Sequence, residues 1–109
     1  METNKARMKV KIKHIRLRRK IIQVLKMCQE RDMSPPSANA LLDMLIDAGL
    51  SQNIIAGTGR IAQVCRSTVG VIKEPITVCN SNGDAYTAFG YTLESEDAFN
   101  EWVESKVVQ

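Results

Sequence analysis

The basic side chains of this sequence are concentrated at one end, and the chemistry that they suit is electrostatic attraction to phosphate. Eleven of the fifteen lysines and arginines precede Ser34, where only three acidic residues accompany them. The rest of the 109-residue chain carries four basic and nine acidic side chains. A phosphate backbone is attracted to the basic end through counterion release and repelled by the other. The distribution indicates a nucleic-acid partner; the alternative is a solvated tail that keeps the protein in solution.

Other reactive residue types form no recognisable catalytic or metal-binding arrangement. The single histidine, His14, lies among basic residues without a partner evident in the sequence, which does not suit a general base. Asp43 and Asp47 are four residues apart, the spacing of a solvated helix face. Residues 57–60 (GTGR) resemble a phosphate-binding loop but have neither the lysine nor the strand–loop–helix context of one. We therefore expect no enzyme activity, no metal and no cofactor.

The cysteines and the hydropathy of the chain bear on its environment. Cys28, Cys65 and Cys79 are an odd set without a CxxC pair, which predicts free, mostly buried thiols in a reducing compartment. No apolar run has the length of a membrane span, and the basic N-terminus leads into no signal-peptide pattern. The sequence thus predicts one cytoplasmic domain without membrane contact.

Hydrophobic periodicity divides the N-terminal half into an arm and helices. Apolar residues and lysines alternate from Met8 to Lys13, which predicts either a strand or an extended arm. The period becomes helical from Ile15, and residues 34–36 (SPP) end this first helix. Ser37 is an N-cap for a second helix that ends at Gly49.

A third helical stretch follows, and then the pattern becomes that of strands. Ser51 opens the stretch, which glycines interrupt, so we expect either a short helix, a glycine turn and a second helix, or one irregular helix. Residues 71–93 predict a β-hairpin with Asn82-Gly83 at its tip. A final helix over residues 95–108 begins at Ser95.

This order of elements resembles the winged helix-turn-helix superfamily from Ile15 to Leu93. The segment GRIAQVCRSTVGVIKEPI followed by AFGYTL is similar to a recognition helix that runs into the first wing strand, with an aromatic strand returning. The resemblance implies an α+β fold of three helices, a C-terminal β-hairpin wing and a terminal helix. Residues 1–14 are then a basic N-terminal arm, and residues 15–109 are the winged-helix domain with its C-terminal helix at 95–108.

The resemblance implies that the protein binds double-stranded DNA in a sequence-specific manner. It implies a small transcriptional or replication regulator. Its small size suggests a phage or plasmid origin. In this superfamily the third helix enters the major groove, where polar side chains pair with base edges. The implied base-reading residues are Gln52, Asn53, Thr58, Arg60, Gln63, Arg66 and Ser67. The expected phosphate contacts are Lys9, Lys11, Lys13, Arg16, Arg18, Arg19 and Lys73. The wing tip consists of Asn80, Ser81 and Asn82.

The remaining expectations concern protein partners. Phe99, Trp102 and Val103 form an apolar stripe on the terminal helix and predict a homodimer, because DNA-binding proteins of this size commonly use two half-sites. The alternative is that the stripe closes the core of its own domain. The uncharged wing tip favours a second function, a winged-helix module for protein–protein interaction. RNA is a weaker third option, because the chain lacks the surface aromatic pairs of common single-strand modules.

Overall fold

The computed structural model describes the backbone of residues 9–108 and the side chains of residues 11–107. Within these residues the fold is α+β, with five helices and an antiparallel hairpin. In chain order the elements are β1 (Lys9–Val10), α1 (Ile15–Glu30), α2 (Ala38–Asp47), α3 (Gln52–Ile55), α4 (Thr58–Arg66), β2 (Val71–Cys79), β3 (Ala85–Leu93), α5 (Glu96–Ser105) and β4 (Val107–Val108). None of the helices in the described part of the chain is long and apolar enough to cross a membrane.

Helix α1 is the element around which the others pack. Leu17, Ile21 and Leu25 recur at helical spacing and are buried in the main core. Helix α5 runs antiparallel to α1, because Lys26 forms an ion pair of 3.0 Å with Glu96 while the Lys11 N–H donates to the Lys106 carbonyl at 2.8 Å. The start of α5 therefore lies beside the second half of α1.

The predicted third helix is two helices. The Ser37 hydroxyl caps α2 as expected, accepting a hydrogen bond of 3.2 Å from the Ala40 N–H. Between α3 and α4 the chain passes through Ala56 at φ +60° and Gly57 at φ +125°. Two consecutive residues with positive φ cannot continue a right-handed helix. The three-helix count was therefore wrong, and the alternative with a short helix before the glycine turn is the correct one.

The hairpin has the predicted position and a continuous register from Val71↔Leu93 to Cys79↔Ala85. The Asn80 side-chain oxygen accepts hydrogen bonds from the Asn82 and Asp84 N–H groups at 2.9 and 3.0 Å, which holds the turn. Gly83 lies at φ +85°, a conformation that glycine adopts without steric cost.

The extended segment between α1 and α2 lies against the outer edge of β3. The Tyr91 N–H donates to the Pro36 carbonyl at 2.9 Å, so this segment continues the hydrogen bonding of the hairpin base. Gly90, which is buried, faces Pro35 so closely that a Cβ there would overlap the Pro35 backbone. The base of the hairpin is thereby fixed to the helices.

The two ends of the described chain meet in a short sheet. Lys9 pairs with Val108 and Val10 with Val107 in antiparallel order. Of the predicted strand or arm, residues 9 and 10 form a strand, whereas Met8 lies outside the described residues. The terminal helix ends at Ser105, earlier than the predicted residue 108, because its last residues pair with β1 instead. This pairing joins distant parts of the sequence, so no local sequence pattern predicts it.

Candidate nucleic-acid interface

Helix α4 buries one face and leaves the opposite face open. Ile61, Val64 and Cys65 lie in the core. Gln63 and Arg66 are exposed on the other side, while Thr58 and Arg60 are partly buried along the flanks. An α-helix of this size fits the major groove of B-form DNA, and glutamine and arginine side chains match the donors and acceptors of base edges. The sequence-predicted base-reading residues of α4 therefore include an exposed pair on one face.

The beginning of α1 lies beside α4, because the Arg18 side chain donates to the Lys13 carbonyl at 2.8 Å and to the Val64 carbonyl at 3.2 Å. Partial burial lowers the pKa of His14, and the positive charges of Arg60, Arg18 and Lys13 lower it further. The effect of the Arg60 charge on His14 agrees with this contact, so we group Lys13 and His14 with Arg60 as one basic surface. Lys11 and Lys13 are exposed here. We call Lys11, Lys13, His14 and Arg60 the basic shelf.

Arg18, predicted to contact a phosphate, is instead buried and engaged within the chain. Its residue surface is 7% exposed. The guanidinium donates to the Thr68 hydroxyl at 2.7 Å, the Ser67 hydroxyl at 3.1 Å and the Val64 carbonyl at 3.2 Å, and its Nε donates to the Lys13 carbonyl at 2.8 Å. It also stacks over the Trp102 ring, 5.5 Å from the centroid. Its hydrogen bonds join α1 to α4, and its contact with Trp102 adds α5.

Ser67 has a similar structural role at the end of α4. Its hydroxyl accepts the bond from Arg18 and lies 3.0 Å from the Gln63 carbonyl, to which it donates. A hydroxyl committed to a helix terminus and to a buried guanidinium is a poor match for a base edge. Ser67 is exposed as a residue, but its polar atom is already engaged.

Two other basic residues of α1 lie on a different surface from the basic shelf. Arg19 and Lys20 line a groove of about 910 Å³ that α1 forms with the end of α2 and the start of α5. No residue of α4 lines this groove within the described part of the chain. Arg16 is exposed. The side chain of Lys9 lies outside the described residues. The predicted phosphate contacts are thus divided between two surfaces.

The remaining predicted base-reading residues lie on α3. Gln52 and Asn53 are exposed and border a smaller cleft of about 390 Å³ between α2 and α3. They lie on the short helix before α4, and the bend at Ala56 and Gly57 separates them from α4. Their exposure is compatible with contact to a ligand that lies along α4.

The outer half of the wing is exposed and carries no basic side chain. Tyr86 and Phe89 are 53% and 50% exposed. Asn80, Ser81 and Asn82 form the tip as predicted, and the oxygen of the Asn80 amide is used to hold the turn. Lys73, predicted to reach a phosphate, places its ammonium 4.3 Å from the centroid of the Phe89 ring. This cation–π contact holds Lys73 against the strand.

The apolar stripe of α5 closes the core of its own chain. Phe99 and Val103 are buried in the main core, and Trp102 packs against it with its ring under Arg18. Phe99 and Val103 are therefore covered within one copy, and nothing in the described residues supports the predicted homodimer through Phe99, Trp102 and Val103. The alternative given by the sequence, closure of the domain's own core, describes the structure.

The cysteines differ in their surroundings. Burial raises the pKa of Cys65 to about 12, and burial also raises the pKa of Cys28. Both thiols therefore stay protonated and unreactive near neutral pH. Cys79 is exposed at the end of β2, so two of the three thiols are buried. Its position on the protruding part of the hairpin keeps it out of the core.

The sequence analysis named Arg18 but missed its structural role. A signal was present, because Arg18 precedes Ile22 and Leu25 by four and seven residues and thus shares the side of α1 that they bury. A charged residue inside an apolar stripe indicates a buried partner. The partners lie about fifty residues along the chain, which no local pattern reveals.

Comparison of this chain with protein-family models, with curated proteins and with solved structures gives no match.

Proposed function

We propose that this chain binds double-stranded DNA in a sequence-specific manner through a winged helix-turn-helix fold, as a small transcriptional or replication regulator. The carrying observation is the juxtaposition of α4, which exposes Gln63 and Arg66, with the start of α1: the Arg18 guanidinium donates to the Lys13 carbonyl at 2.8 Å and to the Val64 carbonyl at 3.2 Å. The order of α1, α2, a turn, α4 and a hairpin supports the winged-helix assignment. Helix α3 inserts an additional turn between the second helix and the recognition helix.

The proposal assigns separate tasks to the two parts of this surface. Exposed lysines of the basic shelf neutralise phosphates and supply affinity that is independent of sequence. Gln63 and Arg66 on the open face of α4 contact base edges and supply specificity. Buried Arg18 keeps the two parts together, because it bonds to the last turn of α4 from within α1.

A binding titration with matched variants tests the proposal. A preferred duplex is first selected from a randomised pool, and affinity for it and for a random duplex is measured by fluorescence anisotropy at several salt concentrations. We expect Lys13→Ala to weaken both duplexes alike, by roughly tenfold, and to reduce the salt slope by about one. Gln63→Ala is expected to weaken the preferred duplex by about 1–3 kcal/mol and the random duplex very little.

The control for charge is Arg31→Ala. Arg31 is an exposed cation at the far end of α1, so its removal changes the net charge as Lys13→Ala does without altering the basic shelf. Its affinity is expected to stay within about twofold of the wild type. The proposal fails if the wild-type chain binds no duplex at low salt, or if Arg31→Ala and Lys13→Ala have equal effects.

The position of His14 makes DNA affinity depend on pH. In the free protein its pKa lies below the usual value of 6.5, and a phosphate beside it would raise that pKa. Binding is therefore accompanied by uptake of a proton at His14. DNA affinity rises as the pH falls below the pKa of His14 in the complex, and it becomes constant once the pH is below the pKa of His14 in the free protein. We expect a gain of roughly threefold to tenfold between about pH 8 and 5.5.

His14→Gln is the control for this pH dependence. Because His14 is the one histidine in the chain, its replacement removes the side chain whose ordinary pKa falls in this range. The affinity of the variant is expected to be nearly flat over the same titration. Identical pH profiles for the wild type and His14→Gln would contradict the placement of His14 beside a phosphate.

The wing supports a second candidate function, a module for protein–protein interaction. Tyr86 and Phe89 expose about half of their surface, and residues 75–89 include no basic residue, although the Lys73 ammonium lies against the Phe89 ring. Exposed aromatic side chains are enriched at protein interfaces, whereas a polyanion gains little from such a surface. Three results together would favour this function. The chain captures one protein in stoichiometric amount after nuclease treatment, Phe89→Ser loses this capture, and the chain binds no DNA duplex.

A further inference from the structure

The exposed side of α1 carries basic residues that the proposed DNA surface does not use. Arg16 and Arg19 lie roughly 160° and 100° around the helix from Arg18, whose guanidinium contacts α4. Both are exposed, and Arg19 lines the groove that α1 forms with α2 and α5. Both therefore lie on a different side of α1 from the contact that Arg18 makes with α4.

An acidic surface lies directly beside this basic one. Helix α5 runs antiparallel along α1 and exposes Asp97, Glu101 and Glu104. Within residues 11–107, the one ion pair closer than 4 Å is that of Lys26 with Glu96. Arg16, Arg19 and the three exposed acids of α5 thus form no ion pair in the described part of the chain. The two helices present parallel stripes of opposite charge.

Adjacent stripes of opposite charge are self-complementary under a two-fold rotation. In a two-fold dimer, residue i of one copy contacts residue j of the other, and j contacts i in return. A single-sign patch would meet itself and repel, whereas two antiparallel stripes of opposite sign can each meet the other. The apolar side chains in the groove, among them Met27 and Met44, lie beside the basic stripe and would be covered in the same contact. An apolar centre with a charged rim is the usual composition of such interfaces.

We propose that the chain forms a two-fold symmetric homodimer in which the acidic face of α5 (Asp97, Glu101 and Glu104) docks on the basic face of α1 (Arg16 and Arg19) of a second copy. This surface is distinct from the buried stripe of Phe99 and Val103, and it does not require DNA. Neither of the two docking faces includes a residue of α4.

Charge reversal tests the reciprocal pairing. One variant carries Arg16→Glu and Arg19→Glu; the other carries Glu101→Lys and Glu104→Lys. Acids near the start of α1 and bases near the end of α5 agree with the helix dipoles, so neither variant opposes folding. Analytical ultracentrifugation of the full chain is expected to show a wild-type dimer with a Kd of about 1–100 µM. Each variant alone is expected to weaken it at least tenfold, or roughly 1.4 kcal/mol.

Mixing the two variants distinguishes this dimer from a general effect of charge. In the mixture the acidic α1 of one variant meets the basic α5 of the other, and both contacts are favourable, so the heterodimer is expected to approach wild-type affinity. A chain with all four substitutions is also expected to dimerise. Arg31→Glu with Glu94→Lys, at exposed positions outside both faces, is the control and should change the Kd by less than about twofold.

Three results would overturn the proposal. They are a wild-type chain that stays monomeric at about 1 mM, variants that self-associate like the wild type, and folded variants whose mixture stays monomeric. Circular dichroism of each variant establishes folding before sedimentation. Because no DNA is present, failure of the dimer and failure of the proposed DNA binding are seen in separate experiments.

Discussion

Replacing Arg18 with alanine is expected to lower the free energy of unfolding by about 2–4 kcal/mol. The guanidinium donates to the Thr68 hydroxyl, the Ser67 hydroxyl and the Val64 carbonyl, and it covers the Trp102 ring. Alanine removes these hydrogen bonds, leaves a cavity between three helices and uncovers the indole. Arg18→Lys retains the charge but not the forked geometry, so an intermediate loss is expected.

The measurement is urea denaturation followed by tryptophan fluorescence. Trp102 is the one tryptophan in the chain and lies against Arg18, so its emission reports the local change as well as global unfolding. Arg19→Ala, at the neighbouring exposed position, is the control and is expected to stay within about 0.5 kcal/mol of the wild type. If Arg18→Ala were as stable as Arg19→Ala, the guanidinium would not hold the helices together.

Gly90→Ala is the second substitution with a large expected effect, a loss of about 3 kcal/mol in the free energy of unfolding. A Cβ at Gly90 would overlap the backbone carbonyl of Pro35, which lies against β3 and cannot rotate away as a side chain can. The added methyl group must push the segment between α1 and α2 away from the hairpin base. The hydrogen bond from the Tyr91 N–H to the Pro36 carbonyl then lengthens or breaks.

Two other glycines provide matched controls. Gly59 lies in α4 with open space around it, so Gly59→Ala is expected to stabilise the chain by up to about 1 kcal/mol through helix propensity. Gly83 also faces open space but has φ +85°, so Gly83→Ala is expected to cost about 1 kcal/mol from backbone strain alone. Thermal or urea unfolding of the three variants should rank them Gly59→Ala, Gly83→Ala, Gly90→Ala in order of decreasing stability. A Gly90→Ala chain within 1 kcal/mol of the wild type would contradict the close contact.

The parts of the fold that depend on neighbouring residues could be predicted from the sequence. The Ser37 hydroxyl caps α2 by accepting from the Ala40 N–H, only three residues along the chain, and the turn at Asn82-Gly83 needs only its own residues. The hairpin register follows from this turn and from the alternation of its strands. Such features recur because the atoms that stabilise them are adjacent in the chain.

The features that the sequence did not predict are contacts between distant segments. Arg18 carries the same charge as its exposed neighbours Arg16 and Arg19, and only the folded chain brings Thr68 to its guanidinium. The pairing of Lys9–Val10 with Val107–Val108 likewise joins the ends of the chain. The candidate site was predicted in part, because exposure of Gln63 and Arg66 follows from helical spacing, whereas the split of the basic residues into two surfaces depends on packing.

The uneven burial of the three thiols makes the chain convenient for spectroscopic labelling. Cys79 lies exposed at the outer end of β2, while Cys28 and Cys65 are buried with raised pKa values. A maleimide dye is therefore expected to attach at Cys79 in the native state and to leave the other two thiols intact. With Trp102 as an energy donor in the body of the domain, such a dye would follow the movement of the wing toward a bound ligand, without any engineered cysteine.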